Sequence, residues 1–504
     1  MSYFPEFSDF EATFKAGKPQ VVWSRLIADL ETPVSAMLKL AQGRANSFLL
    51  ESVEGGALRG RYSFIGLDPD LIWRCQNGKA ELNVSPQSDN DFIPCPVGEK
   101  QGVEASLKNL VAENRIDLPD GLPPMAAGLV GYMAYDMVRL AENIPDDNPD
   151  MLDVPDALFV RPSVMAIFDS LKDSLIIVTP VREVQGTDRD AASAYHQATV
   201  RLDQVIHNFQ APMPRLHHFS PDKTLNAEPK SNMTKDDFFA MVKKAKQYII
   251  NGDAFQIVPS QRFTLPFKQS AFTYYRSLRR LNPSPFLFYL NFGDFSVVGS
   301  SPEILVRVRD GEVTIRPLAG TRKRGLTPEQ DRELAADLLA DKKECAEHLM
   351  LLDLGRNDVG RVSKVGTVKV TEQFIIEYYS HVMHIASNVT GELDPDYDAI
   401  DALLAGFPAG TVSGAPKVRA MEIIDELEPH RRGVYGGCIG YFGANGDMDT
   451  CIALRTAVLK DGEIHIQAGC GIVADSDPES EYQETVNKAQ ALIRAAMEAR
   501  EFDE

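Results

Sequence analysis

Long apolar runs are absent: no stretch of this 504-residue chain approaches the roughly 18 consecutive apolar residues that a membrane-spanning helix requires. Positive charge is also scarce. Against 72 Asp and Glu stand 52 Lys and Arg, a net charge of −20, which argues against nucleic acid or an anionic membrane as the main partner. An anionic substrate must therefore meet cations or a metal placed locally. Cysteines number six (Cys75, Cys95, Cys345, Cys438, Cys451, Cys470) and form neither a CxxC pair nor a metal-ligand spacing. They read as small buried residues of a protein in a reducing compartment. The opening Met1-Ser2-Tyr3-Phe4-Pro5-Glu6 has no basic region followed by an apolar stretch, so a cytoplasmic location is expected. No repeat of fixed period is present, which excludes a solenoid.

One segment reads as a linker. Residues 208–233 carry four prolines and little periodicity, dividing the chain into an N-terminal region, 1–207, and a C-terminal region, 234–504. The first region mixes short strands (Ser47–Val53, Tyr62–Gly66, Phe159–Asp169, Ser174–Pro180) with a helix over 188–207. The second opens with a helix capped by Thr234 and Asp237, whose apolar stripe is Phe238, Met241, Val242, Ala245, Tyr248 and Ile249 and whose stop is Asn251-Gly252. Another helix starts at Thr327-Pro328-Glu329-Gln330 and continues, after a break, through Glu344 and Glu347. Alternating patterns over Val434–Gly443, Asp449–Leu459 and Glu463–Val473, joined by Gly-containing turns, predict a β-meander followed by a helix. Strands and helices do not alternate as βαβ units. The expected class is α+β, with large antiparallel sheets flanked by helices.

Several patterns bear chemistry. Glu344 and Glu347, and again Glu481 and Glu484, stand three residues apart on helices, so each pair shares a face, with Lys488 following on the second. One such pair fits a solvated helix face; four carboxylates gathered together need a divalent metal or a charged ligand. Arg455 reads as the middle of a strand with Cys451, Ala453 and Ala457 on its face. That leaves room for a carboxylate ligand, or for a structural ion pair with a nearby Glu. Gly469-Cys470-Gly471 ends a strand where backbone could approach a ligand or form a bulge. The turn from Phe407 to Lys417, with Thr411, could cradle an anion at a helix N-terminus or be an ordinary capped turn. His384, in an alternating strand running from His381, fits a structural or a catalytic histidine.

Taken in order, these stretches resemble the chorismate-utilising enzymes, in the branch of the anthranilate synthase large subunits. The matching motifs are Ser300-Ser301-Pro302-Glu303, Pro317 through Arg322, Glu347 through Asp358, Thr411 through Lys417, Gly469 through Val473 and Glu481 through Lys488. In the N-terminal region, Leu49-Leu50-Glu51-Ser52 and Gly60 through Gly66 carry the likeness. The resemblance implies the sandwich of that family, with a regulatory region packed on it. It also implies conversion of chorismate and ammonia to anthranilate and pyruvate, the first step of tryptophan biosynthesis.

The resemblance also implies roles. Mg2+ is expected on Glu347 and Glu484, supported by Glu344 and Glu481. Glu303, His384 and Thr411 form the catalytic set, with Glu303 as general acid and His384 assisting pyruvate elimination. Gly320, Thr321, Tyr435, Arg455, Gly469, Cys470, Gly471 and Lys488 are expected to hold substrate. Tryptophan is expected to inhibit from a pocket built of Glu51, Ser52, Pro285, Phe286 and Leu287. Sibling enzymes differ at two positions: the lysine that activates water in isochorismate synthases is Gln256 here, and the nucleophilic lysine of aminodeoxychorismate synthases is Ala319. Both differences favour direct amination over those reactions. No Gly-x-Cys-x-Gly segment with a downstream His-x-Glu is present, so ammonia is expected from a separate glutamine amidotransferase subunit. The alternatives are aminodeoxychorismate synthase component I and, outside enzymes, an amino-acid sensor on the same fold.

Overall fold

The structure is a computed structural model that describes residues 2–54, 58–88, 91–182, 190–214, 228–379, 382–499 and 502. Part of the expected linker, 215–227, and His381 lie outside these. Among the described residues every strand ladder is antiparallel. Two long strands, Tyr62–Gln76 and Ala157–Asp169, pair along their whole length and divide the sheet into two wings. The division falls where Asp68 takes a left-handed φ of 48° and the register slips between Pro69 and Leu71, because a bulge bends and twists the strand that carries it.

One wing passes from the near halves of these strands through Ser47–Glu51, Phe286–Asn291, Phe295–Ser301, Thr456–Lys460, Glu463–Gly469 and Ser260–Pro266. The other passes from the far halves through Gly128–Met133, Cys438–Gly443, Met448–Ile452, Ile304–Arg309, Glu312–Ile315 and Val382–Glu392. Strands from both sides of the linker therefore pair directly: Leu49 sits opposite Tyr289, and Tyr132 opposite Ile439. An apolar layer that includes Phe48, Tyr132, Ile167, Phe288, Ile439 and Val458 draws on both wings. Helices Ala191–Gln210, Ala271–Leu281 and Pro478–Glu498 pack on the first wing. Helices Val103–Glu113, Lys342–Gly360 and Ala399–Gly406 pack on the second. The α+β sandwich expected from the sequence is the architecture observed. No helix of the described residues is long and apolar enough to cross a membrane.

Local signals hold where they are self-contained. Thr234 and Asp237 form a reciprocal capping box on Lys235–Ile250. Thr327 accepts from the Gln330 N–H at the head of Pro328–Ala340. The expected break then falls at Asp341, whose carboxylate caps Lys342–Gly360 through the amides of Lys343 and Glu344. Asp461 and Gly462, both with positive φ, turn the last hairpin, as a tight two-residue connection requires.

The meander is more broken than its pattern predicts. Arg455 adopts a φ of 50° between Met448–Ile452 and Thr456–Lys460. The first of these strands pairs with Ile304–Arg309 and the second with Phe295–Ser301, so they belong to different wings. Within the linker range, the preceding helix continues to Gln210, and Lys230–Ser231 already pairs with Phe263 and Thr264.

Candidate active site

Helices Lys342–Gly360 and Pro478–Glu498 bring the two acidic pairs to one cavity of about 1220 Å3. Each helix shows Glu at i and i+3, so both carboxylates of a pair point the same way. Around the same space stand Glu303, Gly320, Thr321, His384, Thr411, Tyr435, Arg455, Gly469, Gly471 and Lys488. Glu303 to Lys488 spans most of the C-terminal region, so only tertiary folding assembles this set.

Glu303 follows strand Phe295–Ser301 and is buried. Its carboxyl accepts a hydrogen bond from the Thr411 hydroxyl at 2.8 Å and a longer one from the Leu318 amide at 3.4 Å. Burial raises its pKa to about 7, against the opposing pull of those bonds and of Arg455 and Lys488. A carboxyl that holds its proton near neutrality can donate it. His384 sits on strand Val382–Glu392, with Nδ1 at 2.7 Å from the Gly320 carbonyl. A carbonyl only accepts, so Nδ1 carries the hydrogen in the neutral ring and Nε2 is left as the base. Burial lowers the pKa of this histidine, which keeps it neutral. Gly320 permits the turn at φ 65°, and a Cβ there would lie 3.1 Å from Glu344 Oε2.

Arg455 faces the cavity because its left-handed backbone breaks the strand. The expected row of small same-face neighbours does not exist. Its guanidinium makes no ion pair or hydrogen bond among the described residues, and burial pulls its pKa down against the attraction of Tyr435, Glu484 and Glu303. A half-buried cation without a partner among the described residues, beside an open space, suits an anionic ligand. Lys488 donates to the Gly469 carbonyl at 3.0 Å and pairs with Glu484 at 2.6 Å.

The acidic set is electrostatically strained. Burial, then the neighbouring Glu347 charge, raises the pKa of Glu344. Glu481 is raised by burial and by Glu484, and among the described residues its buried Oε2 has no hydrogen-bond partner. Glu347 accepts from the Gln256 amide at 2.9 Å. Among the described residues no three Asp, Glu, His or Cys side chains are close enough to hold a metal unaided. The chemistry of the donors still fits Mg2+, which takes one or two carboxylates and leaves its other positions to water and substrate oxygens. The orphaned Glu481 oxygen fits a cation as well.

One expectation is corrected here. Cys470 does not line the cavity: its side chain is fully buried among Phe238, Met241, Ile423 and Ile472, and its amide is spent on the Pro259 carbonyl. Only the flanking glycines reach the space, where Cβ atoms would meet the Tyr435 hydroxyl at 2.8 Å and the Gln256 amide at 2.6 Å. Of the two readings of the turn from Phe407 to Lys417, the contacts favour an ordinary turn. Thr411 alone reaches the cavity, and its hydroxyl is given to Glu303 rather than to a ligand, while Lys417 pairs with Asp358. Gln256 and Gln467 are wall residues whose contacts the sequence did not disclose, since a glutamine in a short strand carries no pattern of its own.

A second cavity, of about 890 Å3, gathers Glu51, Ser52, Pro285, Phe286 and Leu287. Glu51 is buried, and Arg279 already balances its carboxylate at 2.6 and 2.8 Å, with the Tyr275 hydroxyl at 2.6 Å. Pro302, which precedes Glu303, and Leu318, whose amide donates to its carboxyl, line both cavities.

The sequence pattern of the chorismate binding enzyme family matches residues 59–494. Anthranilate synthase component 1 of Cereibacter sphaeroides is 58% identical over 497 residues, 98% of each chain. The protein of the same name from Pseudomonas aeruginosa is 47% identical, covering 93% of this chain and 94% of its own. Among solved structures, anthranilate synthase component I of Streptococcus pneumoniae superposes with a TM-score of 0.74 at 38% identity, over 86% of this chain and 92% of its own. The menaquinone-specific isochorismate synthase of Escherichia coli shares the fold, with a TM-score of 0.69 at 18% identity over 97% and 99%.

Proposed function

The chain belongs to the chorismate binding enzymes, among the anthranilate synthase component 1 sequences, and on that premise we propose that it aminates chorismate and releases anthranilate, pyruvate and water. The observation that carries this reading is the pairing, in one cavity, of a buried carboxyl of pKa about 7, Glu303, with a neutral histidine whose free nitrogen is Nε2. One donates a proton and the other takes one. Ammonia attacks C2 of chorismate while Glu303 protonates the departing C4 hydroxyl, and Thr411 holds that carboxyl in place. His384 then removes the C2 proton as the ether bond to the enolpyruvyl group breaks and pyruvate leaves, which forms the aromatic ring. Arg455 balances a substrate carboxylate, with Tyr435, Gly469, Gly471 and Lys488 around the enolpyruvyl end and Gly320 and Thr321 at the ring.

Glu347 and Glu484, with Glu344 and Glu481 behind them, would hold Mg2+. When bound, it supplies charge neutralisation of the substrate's ring carboxylate. For Glu484 this means exchanging or sharing its Lys488 partner. The component 1 names of the relatives support a partner, read here as a glutamine amidotransferase that delivers ammonia. The six free cysteines suit a reducing cytoplasm.

The second cavity supports feedback by tryptophan. It offers Pro285 and Phe286 to an indole and the wall around Ser52 to the amino-acid end, and it shares Pro302 and Leu318 with the first cavity. Because Glu51 is already neutralised by Arg279, backbone carbonyls remain to accept the ammonium. The test of the main reading is direct: the purified chain with chorismate, Mg2+ and ammonium at high pH must generate anthranilate fluorescence. Aminodeoxychorismate as the end product, or no turnover, refutes it.

A further inference from the structure

Arg432 lies behind the wall of the candidate active site, only 2% exposed, and no step described above uses it. Its Nε and Nη2 donate to the Glu428 carboxylate, the closest contact at 2.6 Å. The remaining donors leave the pair: Nη1 reaches the Val412 carbonyl at 2.6 Å and Nη2 the Val258 carbonyl at 2.7 Å. The guanidinium lies 4.5 Å from the centroid of Tyr135 and 5.6 Å from that of Tyr435.

Each contact sits one step from the chemistry. Val412 follows Thr411, the donor to Glu303. Val258 ends the short segment that begins at Gln256, the donor to Glu347. Tyr435 is itself a wall residue. Glu428 in turn accepts from the Ser260 amide and hydroxyl, both at 2.8 Å, and that hydroxyl accepts from wall residue Gln467. The guanidinium is thus a hub at the end of the short ladder in which Gln256 and Ile257 pair with Ala415 and Gly414, tying both of its strands to the Glu428–Ser260–Gln467 chain.

Stability does not explain such a group. A buried ion pair costs desolvation that its attraction barely repays, and apolar replacements are often no less stable. What a guanidinium supplies here is forked geometry: a lysine could balance Glu428 but could not reach both carbonyls as well. We infer that Arg432 is a positioning residue of the reaction, fixing Thr411, and through it Glu303, against Gln256 and Tyr435. The inference rests on Glu303 being the acid.

The experiment is a double-mutant cycle in the full chain, with chorismate, ammonium and Mg2+. Arg432→Lys should lower kcat about 10- to 100-fold, the cost of misplacing a catalytic group by a fraction of an ångström to one ångström, with KM for chorismate within about twofold. Adding Thr411→Val should then cost little more, because both changes release the same carboxyl. A full kcat, a rise in KM alone, or losses that multiply would overturn the inference. If near-ultraviolet circular dichroism shows Arg432→Lys unfolded, Glu428→Asp replaces it in the cycle. That change keeps the pair but draws it back by one methylene, and the same coupling with Thr411→Val is required. Glu303→Gln run alongside separates the two readings. If it retains turnover, the assignment of the acid fails; if it loses turnover while 411 and 432 stay uncoupled, only the positioning role falls.

Discussion

Replacing Glu303 by Gln removes the acidic proton and keeps the shape, since the Gln carbonyl can still accept from Thr411 and from the Leu318 amide. The carboxyl it replaces is raised from 4.5 to about 7 by burial. Between those values the unfolded chain has released a proton that the folded chain retains, so folding stability falls as pH rises through this window and levels off above it. Below pH 4.5 there is no cost; above pH 7 the full cost is about 3 kcal/mol. Glu303→Gln escapes it, and should be more stable than the parent at pH 8.5 but not at pH 4.5. For 504 residues the unfolding entropy is about 1 kcal/mol/K, so the pH-dependent gain corresponds to about 3 °C in Tm. Glu344 and Glu481, also raised, titrate alike in both proteins and cancel in the difference. Thermal melts of parent and variant at the two pH values give this gap, and anthranilate fluorescence gives the loss of turnover, about 10²- to 10⁴-fold for a missing general acid. A Tm gap that does not change with pH, or a variant that keeps its turnover, refutes the reasoning.

Three further outcomes are expected. Chelation by EDTA should abolish anthranilate formation and added Mg2+ should restore it, with Glu347→Gln losing roughly 10²-fold or more; full turnover in chelator removes the metal. His384→Met should still consume chorismate but accumulate the aminated intermediate, seen by chromatography of the reaction mixture, and unchanged anthranilate output would return His384 to a structural role. Ser52→Phe should fill the second cavity and raise the tryptophan concentration needed for inhibition about 10-fold or more, with ammonia-dependent turnover nearly intact. A parent enzyme indifferent to millimolar tryptophan, or a variant inhibited as the parent is, defeats that assignment.

Features that act within a few residues were legible from the chain alone. The Thr234 and Thr327 caps, the Asp461-Gly462 hairpin and the same-face acidic pairs each depend on local backbone geometry, and they stand as read; a helix break was expected, and the structure places it at Asp341. The motif order was equally informative about family, because motifs are linear. Contacts between distant segments were decided by the tertiary structure. Arg455 stands out in the sequence as a mid-strand arginine, but its placement is decided only when Met448–Ile452 and Thr456–Lys460 are drawn to different wings and the left-handed turn between them aims its guanidinium at the cavity. Cys470 sits between two glycines that line the cavity, yet just past the end of strand Glu463–Gly469 its own side chain turns into the core. Arg432 belongs to no motif singled out in the sequence, and only burial against Glu428 makes it a hub. A sequence specifies which groups are available and how its own turns bend. Which of them lose water, and so change their pKa or their partner, depends on segments that meet only when the sheet closes.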